Sequence, residues 1–247
     1  MKPPSRVLIT GAAGRIGSFL TQHLADQYDF VLSDVRPPAE TYGFPFVAAD
    51  IADPAAMHEL CQGIDTVVHL AADPSTEAKW DSLLPRNIIG VHNVFEAAHA
   101  AGCRRVIFAS SVNAVSGYPR EIQVQTSMPV RPPNLYGATK AWGEALARYY
   151  ADQLGLSAIC LRFGWVVSRD SDHLRPGMRM LDIALTYEDL TKLVRASIEA
   201  PDDLRFGIFH GVSNNRWKRL DISDARAKLG YAPEDDAFAL AEARANG

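Results

Sequence analysis

The chain has little cysteine. Its 247 residues include Cys61, Cys103 and Cys160 and no others. Their spacing fits neither a zinc site nor a CxxC redox pair, so no metal is expected. An odd, sparse count reads as free thiols in a reducing compartment, with packing as their role. Long apolar runs are also missing. The longest, LGLSAICLRFGWVV, carries Arg162 and is too short to span a bilayer. The opening MKPPSRVLIT lacks the extended apolar stretch of a secretion signal. A soluble, cytoplasmic protein with no membrane partner is expected. Nor is there an excess of positive charge: 25 Lys and Arg stand against 29 Asp and Glu, a formal net charge of −4. That argues against a nucleic-acid partner held by a basic face. Internal repeats and low-complexity tracts are absent as well.

What is present is ordinary for a globular protein: 47% hydrophobic and 22% charged residues. The length suits one large domain with a small annex. Short β-rich runs alternate with helical stretches. The expected strands are RVLIT (6–10), FVLSD (30–34), FPFVAAD (44–50), TVVHLAA (66–72), RVIFASS (105–111), SAICLRF (157–163) and FGIFHG (206–211). Apolar runs separated by helices are strands covered on both faces, hence a parallel sheet with right-handed crossovers. A long helix is expected over Asp81 to Ala101. The expected fold class is α/β, a doubly wound parallel sheet of about seven strands. Two late stretches, 165–186 and the tail from Val212, are polar and irregular. They read as a small cap over the carboxyl edge of the sheet.

LITGAAGRIGSFL places Gly11, Gly14 and Gly17 between the first strand and the first helix, with Arg15 and Ile16 among them. The spacing is GxxGxxG. Glycines permit a tight turn and a close pyrophosphate, and the helix N-terminus supplies free N–H groups. A glycine triplet alone is a weak signal; this one sits in the strand–turn–helix context that gives it meaning. Asp34 ends the second strand, 20 residues after Gly14. A carboxylate there accepts from the adenosine ribose hydroxyls and repels a 2′-phosphate, which favours NAD over NADP. Arg36 lies two residues on and could pair with a phosphate, stack on adenine or be solvated. Asp50 and Ile51 could flank the adenine, or Asp50 could serve as a loop or helix-capping carboxylate.

TGAAGRIG, Asp34, AADIAD, HLAA, NIIGVHNVFEAA, VIFASS and YGATK together resemble an extended short-chain dehydrogenase/reductase of the NAD-dependent epimerase/dehydratase family. The resemblance runs through about residues 5–164, with weaker echoes to 235. Within that superfamily the chain is most similar to the uronate dehydrogenases, through SSVNAVSGYP, RPPNLYGATKAWGE and RML at 179–181. The resemblance implies a Rossmann core at 1–164, a substrate cap at 165–186, a return to the core at 187–211 and a C-terminal cap or tail at 212–247. It implies hydride chemistry by Tyr136, Lys140 and Ser111, with Ser110 as a rival to Ser111. Leu70, Ala71 and Ala72 would pass the cofactor through backbone contacts. Asn87 would lie near the lysine, or be a buried structural amide. A homodimer is a family-level expectation.

Physical chemistry supports that transfer. Tyr136 and Lys140 are one helical turn apart and share a face. Oxidising an alcohol needs a base for the hydroxyl proton, and a free phenol with a pKa near 10 is a poor one. Lys140 and an oxidised nicotinamide are both cationic, and both favour phenolate. Ser111 would hold the substrate hydroxyl beside it.

Uronate dehydrogenases oxidise the anomeric hydroxyl of a hexuronate to a lactone with NAD. A carboxylate substrate calls for an arginine. Arg179 matches the family's substrate arginine, with Arg175 as a rival, and Ser75 matches a substrate contact. The chain departs from the family after Ser111, with Val112 and Asn113 in place of Asn and His. It also departs at Trp165, where the family has a small Ser. An indole there fills space or stacks on a sugar face. His173 is either a further polar contact or solvated. These departures bear on the sugar, not on the hydride chemistry. Two other readings share the same motifs: a sugar-nucleotide epimerase or dehydratase with tightly held NAD, and a non-catalytic NAD(P)-binding sensor. About 80 residues follow the sixth strand, short for a nucleotide-binding annex.

Overall fold

The computed structural model describes residues 5–245. In chain order the elements are β1 (Arg6–Thr10), α1 (Arg15–His23), β2 (Asp29–Asp34), β3 (Phe46–Ala48), α2 (Pro54–Leu60), β4 (Thr66–His69), α3 (Trp80–Leu83), α4 (Gly90–Ala100) and β5 (Arg105–Ser111). Then come α5 (Leu135–Leu154), β6 (Ser157–Phe163), β7 (Trp165–Val167), β8 (Ala184–Thr186), α6 (Tyr187–Ile198), β9 (Phe206–Gly211), α7 (Ser223–Leu229) and α8 (Ala237–Ala245). Seven strands pair in the order β3-β2-β1-β4-β5-β6-β9, every pair parallel. The order reverses between β1 and β4, and ligands of such sheets bind at the carboxyl ends around that point.

All seven positions of β5 and of β6 are buried, as strands covered on both faces must be. One face packs Leu20 and Leu24, at the end of and just beyond α1, and Leu190 and Leu193 of α6. The other packs Met57 of α2, Phe95 of α4 and Tyr150 of α5. At the amino end of the sheet, the buried Arg105 begins β5. It donates to Ser157 Oγ and to the carbonyls of Ser197, Ala200 and Pro201 where α6 ends. A third, smaller core joins the two late irregular stretches: Val167, Leu174, Leu181 and Ala184 pack with Ala237 and Ala241. Within it β7 and β8 form a two-stranded parallel pair.

The single long helix expected over 81–101 is instead α3, a π-helical stretch Leu84–Ile89 and α4. Pro85 has no N–H to give and crowds the preceding turn, so the helix widens there. The Gly90 N–H donates to the Pro85 carbonyl, five residues back. The third and fourth strands are also shorter than expected, ending at Ala48 and His69. The 112–134 connection, which the sequence left unassigned, is held from the C-terminal side. The Val124 N–H donates to the Arg219 carbonyl at 2.7 Å, and the Asp221 N–H donates to the Val124 carbonyl at 2.9 Å.

Candidate active site

The glycine turn lies against the end of β4. Gly11 has φ +77, and a Cβ on it would stand 2.6 Å from the Ala71 nitrogen. Only glycine allows that conformation and that approach at once. α1 starts at Gly14 with no side-chain cap and no acid in its first turn. Its first N–H groups are therefore free for an anion, the donor set a dinucleotide pyrophosphate requires. Arg15 is exposed beside them, while Ile16 packs on the core. Asp34 Oδ2 accepts from the Ala13 N–H at 3.0 Å. One carboxylate oxygen thus braces the turn. Asp50 Oδ1 accepts from the Ala52 N–H at 2.9 Å, the loop-carboxylate alternative, while Ile51 is buried against Gly90. Arg36 is exposed. Leu70, Ala71 and Ala72 are half-buried, and the Leu70 N–H continues the ladder to the Thr10 carbonyl.

The second half of the site sits where β5 ends. Asn134 caps α5, its side-chain oxygen accepting from the Gly137 N–H at 2.8 Å. Any side chain at Gly137 would collide with the Asn113 carbonyl, so glycine lets the helix close on the loop after β5. Ser111 Oγ accepts from the Asn113 N–H at 3.1 Å and from the Asn113 amide at 3.3 Å. Tyr136 is buried beside Ser111. Lys140 is buried too: Nζ donates to the Ala109 carbonyl at 2.8 Å and lies 5.7 Å from the Tyr136 ring centre. Ser110 points elsewhere, donating to Glu144 Oε1 at 2.6 Å. Adjacent strand residues face opposite sides, which separates the two serines.

The electrostatics of the protein alone differ from the expectation. Burial pushes the Tyr136 phenol above its ordinary value and Asp73 adds to the rise, while the Ser111 hydroxyl works against it. Lys140 does not reverse this. Burial pulls its own ammonium down to about 8, with Glu144 partly restoring it. Desolvation penalises the charged form of both groups and is the largest cause of each displacement. Asn87, expected near Lys140 or as a buried structural amide, is buried and clamps the loop after β4 to the residue before Lys140. Its Oδ1 accepts from the Asp73 N–H, and its amide donates to the Asp73 carbonyl and to Thr139 Oγ1.

On the substrate side the side chains are looser. Ser75, Arg175, Arg179 and His173 are exposed. Arg175 Nε donates to the Asp172 carbonyl at 2.6 Å, and the Arg179 carbonyl accepts from Arg120 at 2.5 Å. Trp165 is half-buried and lines a cavity of about 290 Å³ with Arg15, Asp170, His173 and Tyr187. No motif of the sequence assigns a role to His69, Glu144, Arg162 and His210, yet all are buried at this end of the sheet. A signal existed for one of them: Glu144 stands four residues beyond Lys140 on the same helical face.

The family model described as NAD dependent epimerase/dehydratase matches residues 7–188. The chain belongs to that family. A similar protein is the NAD-dependent glucose-6-phosphate dehydrogenase of Haloferax volcanii, 36% identical, the match covering 93% of each chain. Another is the uronate dehydrogenase of Pseudomonas putida, 36% identical over 94% of this chain and 85% of that one. Among solved structures, a single-residue variant of uronate dehydrogenase from Agrobacterium tumefaciens complexed with NAD superposes with a TM-score of 0.87. That alignment has 32% identity and covers 98% of this chain and 89% of that chain. No helix among the described residues is long and apolar enough to cross a membrane.

Proposed function

We propose that this protein is an NAD-dependent oxidoreductase that oxidises a sugar or sugar-acid hydroxyl, in the manner of hexuronate oxidation to a lactone, with Tyr136 as base. One observation carries the reading: Ser111, Tyr136 and Lys140 converge at the carboxyl end of β5, on the same sheet edge as the uncapped turn Gly11–Gly17. NAD, when bound, accepts the hydride and brings a positive charge. Gly11, Gly14, Arg15, Ile16 and Gly17 would hold its pyrophosphate, Asp34 its adenosine ribose, and the 70–72 backbone the rest of the cofactor. Because burial and Asp73 raise the phenol, Tyr136 would become a competent base only with that further charge in place. Ser111 and Asn113 orient the reacting hydroxyl. Lys140 holds positive charge behind the phenol.

The 165–186 segment and the segment from Val212 close over the sugar, with Trp165 against its face and Arg179 toward an anionic group. The relatives' names cover a sugar phosphate and a sugar acid, both anionic, and also a neutral pentose. A homodimer through α4 and α5 fits the exposed Tyr149 and Leu154 on α5; equilibrium sedimentation tests it. The function is tested by offering D-glucuronate, D-galacturonate, D-glucose 6-phosphate and neutral aldoses with NAD or NADP and following reduced-cofactor absorbance. Net reduction with a sugar acid or sugar phosphate is expected. Absence of net reduction with every sugar would refute the reading. Asp34→Ala should weaken NAD by about tenfold and NADP less; the reverse order would refute the cofactor assignment.

A further inference from the structure

Behind the Tyr136/Lys140 pair lies a row of buried polar side chains. Ser110, Arg162 and His210 are register partners on β5, β6 and β9, so they stand side by side on one face of the sheet. Glu144 of α5 comes down onto that row. Its Oε1 accepts from Ser110 Oγ at 2.6 Å and from Arg162 Nε at 2.7 Å, and its Oε2 accepts from Arg162 Nη2 at 2.8 Å. Arg162 Nη1 lies 3.4 Å from His210 Nε2, and His210 Nδ1 lies 2.8 Å from the Asp221 carbonyl. The Arg162 and Glu144 side chains are 1% and 3% exposed, so the pair is sealed from solvent. A two-bond ion pair at that depth is costly to assemble and gives little net stability. Its placement suggests another use. Tyr136, Lys140 and Glu144 follow one another at four-residue steps along the same face of α5.

We propose that Glu144 and Arg162 are positioning residues for the oxidation, a charge-balanced buried pair that holds the end of β5, where the Ala109 carbonyl takes the Lys140 ammonium, and fixes the net charge felt by that ammonium. This rests on the assignment of Tyr136 and Lys140 made above. Glu144 is the anion that favours the Lys140 ammonium, and both of its carboxylate oxygens are bonded to Arg162. The histidines and the thiol that face this cluster carry no charge near neutrality. His69 on β4 and His210 on β9 are held neutral by burial, at about 3 and about 4. Cys160 on β6 is pushed well up by burial and by Glu144. Asp73, in the loop after β4, acts on Tyr136. Asp224 of α7 acts on His210 from the outer side.

The test is to move the charge in both directions and read the Lys140 titration itself. Lysine side-chain NMR, with Lys140→Arg identifying the signal, gives that titration without a substrate. Glu144→Gln leaves Arg162 uncompensated, and the Lys140 midpoint should fall by about one pH unit. Arg162→Met leaves Glu144 uncompensated, and the midpoint should rise by a similar amount. The double variant should return it to the wild-type position. Arg162→Lys keeps the charge without the fork, so the midpoint should stay while kcat falls about tenfold on the best sugar of the panel. A merely structural pair would give no shift, or shifts in one direction, and either result overturns the proposal. If Arg162→Met fails to fold, Glu144→Gln against the double variant decides by the same criterion. Activity retained in Tyr136→Phe would instead overturn the assignment of the base, and leaves the titration result readable.

Discussion

Arg105 and Arg162 are both buried arginines on adjacent strands of one sheet, yet they stand at opposite ends of it and are satisfied in opposite ways. Arg105, at the amino end, gives its hydrogen bonds to a serine and to neutral carbonyls where α6 closes. Burial lowers it to about 10, so it stays charged throughout the physiological range. Arg162, at the carboxyl end, is locked to Glu144 in a cluster that also contains Ser110 and His210. Its neighbours Lys140 and Tyr136 are both displaced from their ordinary values. His69 Nε2 is buried there without a partner, while its Nδ1 is 2.7 Å from Thr10 Oγ1. The amino end completes its hydrogen bonds internally and serves the fold. The carboxyl end holds an unpartnered buried ring nitrogen and an open donor set, the marks of an end that receives ligands.

The largest expected effect is at the carboxyl end. Tyr136→Phe should lower turnover by about 10³-fold with little change in the unfolding midpoint or in NAD affinity. Steady-state kinetics and calorimetry check both halves of that statement. Arg105→Met should do the opposite. It keeps the apolar stem but leaves the α6 carbonyls unbonded, costing about 3 kcal/mol in urea unfolding while the folded fraction turns over normally. Loss of activity without loss of stability at Arg105 would erase the contrast between the two ends.

A smaller effect concerns pH. His210 is held at about 4, below the ordinary value near 6.5. On acidification the unfolded chain takes up that proton first. The ring's share of stability is complete above about pH 6.5 and is lost as the pH falls toward about 4. Between pH 7 and pH 5 that share amounts to about 2 kcal/mol, and His210→Gln should remove this part of the acid sensitivity. His69 adds a decline in the same direction. The smallest effect is on the substrate rim. Arg179→Ala should raise KM for a sugar acid by about tenfold and leave neutral aldoses unaffected, with Arg175→Ala nearly silent. The opposite order would give the anion to Arg175.

The cofactor half was more legible than the substrate half. RVLIT, the glycine turn and Asp34 are local signals, and Asp34 meets the turn through the Ala13 N–H as a brace for it. The substrate rim draws on segments far apart in sequence: Val124 meets Leu220, and Leu174 meets Ala237 in one small core. No local periodicity announces such meetings. The π-helical turn at Leu84–Ile89 was missed because the helical pattern continues through it, and Pro85 alone hinted at a break.

By itself the sequence determined the alternation of strand and helix, the conformation demanded at Gly11, and the four-residue step from Tyr136 to Lys140. Each depends on residues within a turn or two of one another, where backbone sterics and side-chain period decide the outcome. Only the tertiary structure decided that Ser110 would turn to Glu144 and leave Ser111 beside the phenol. It alone set Ser110, Arg162 and His210 in one row and placed Tyr136 where burial raises its phenol. Strand register and desolvation are properties of the packed molecule, and a charge feels them only once water has been removed.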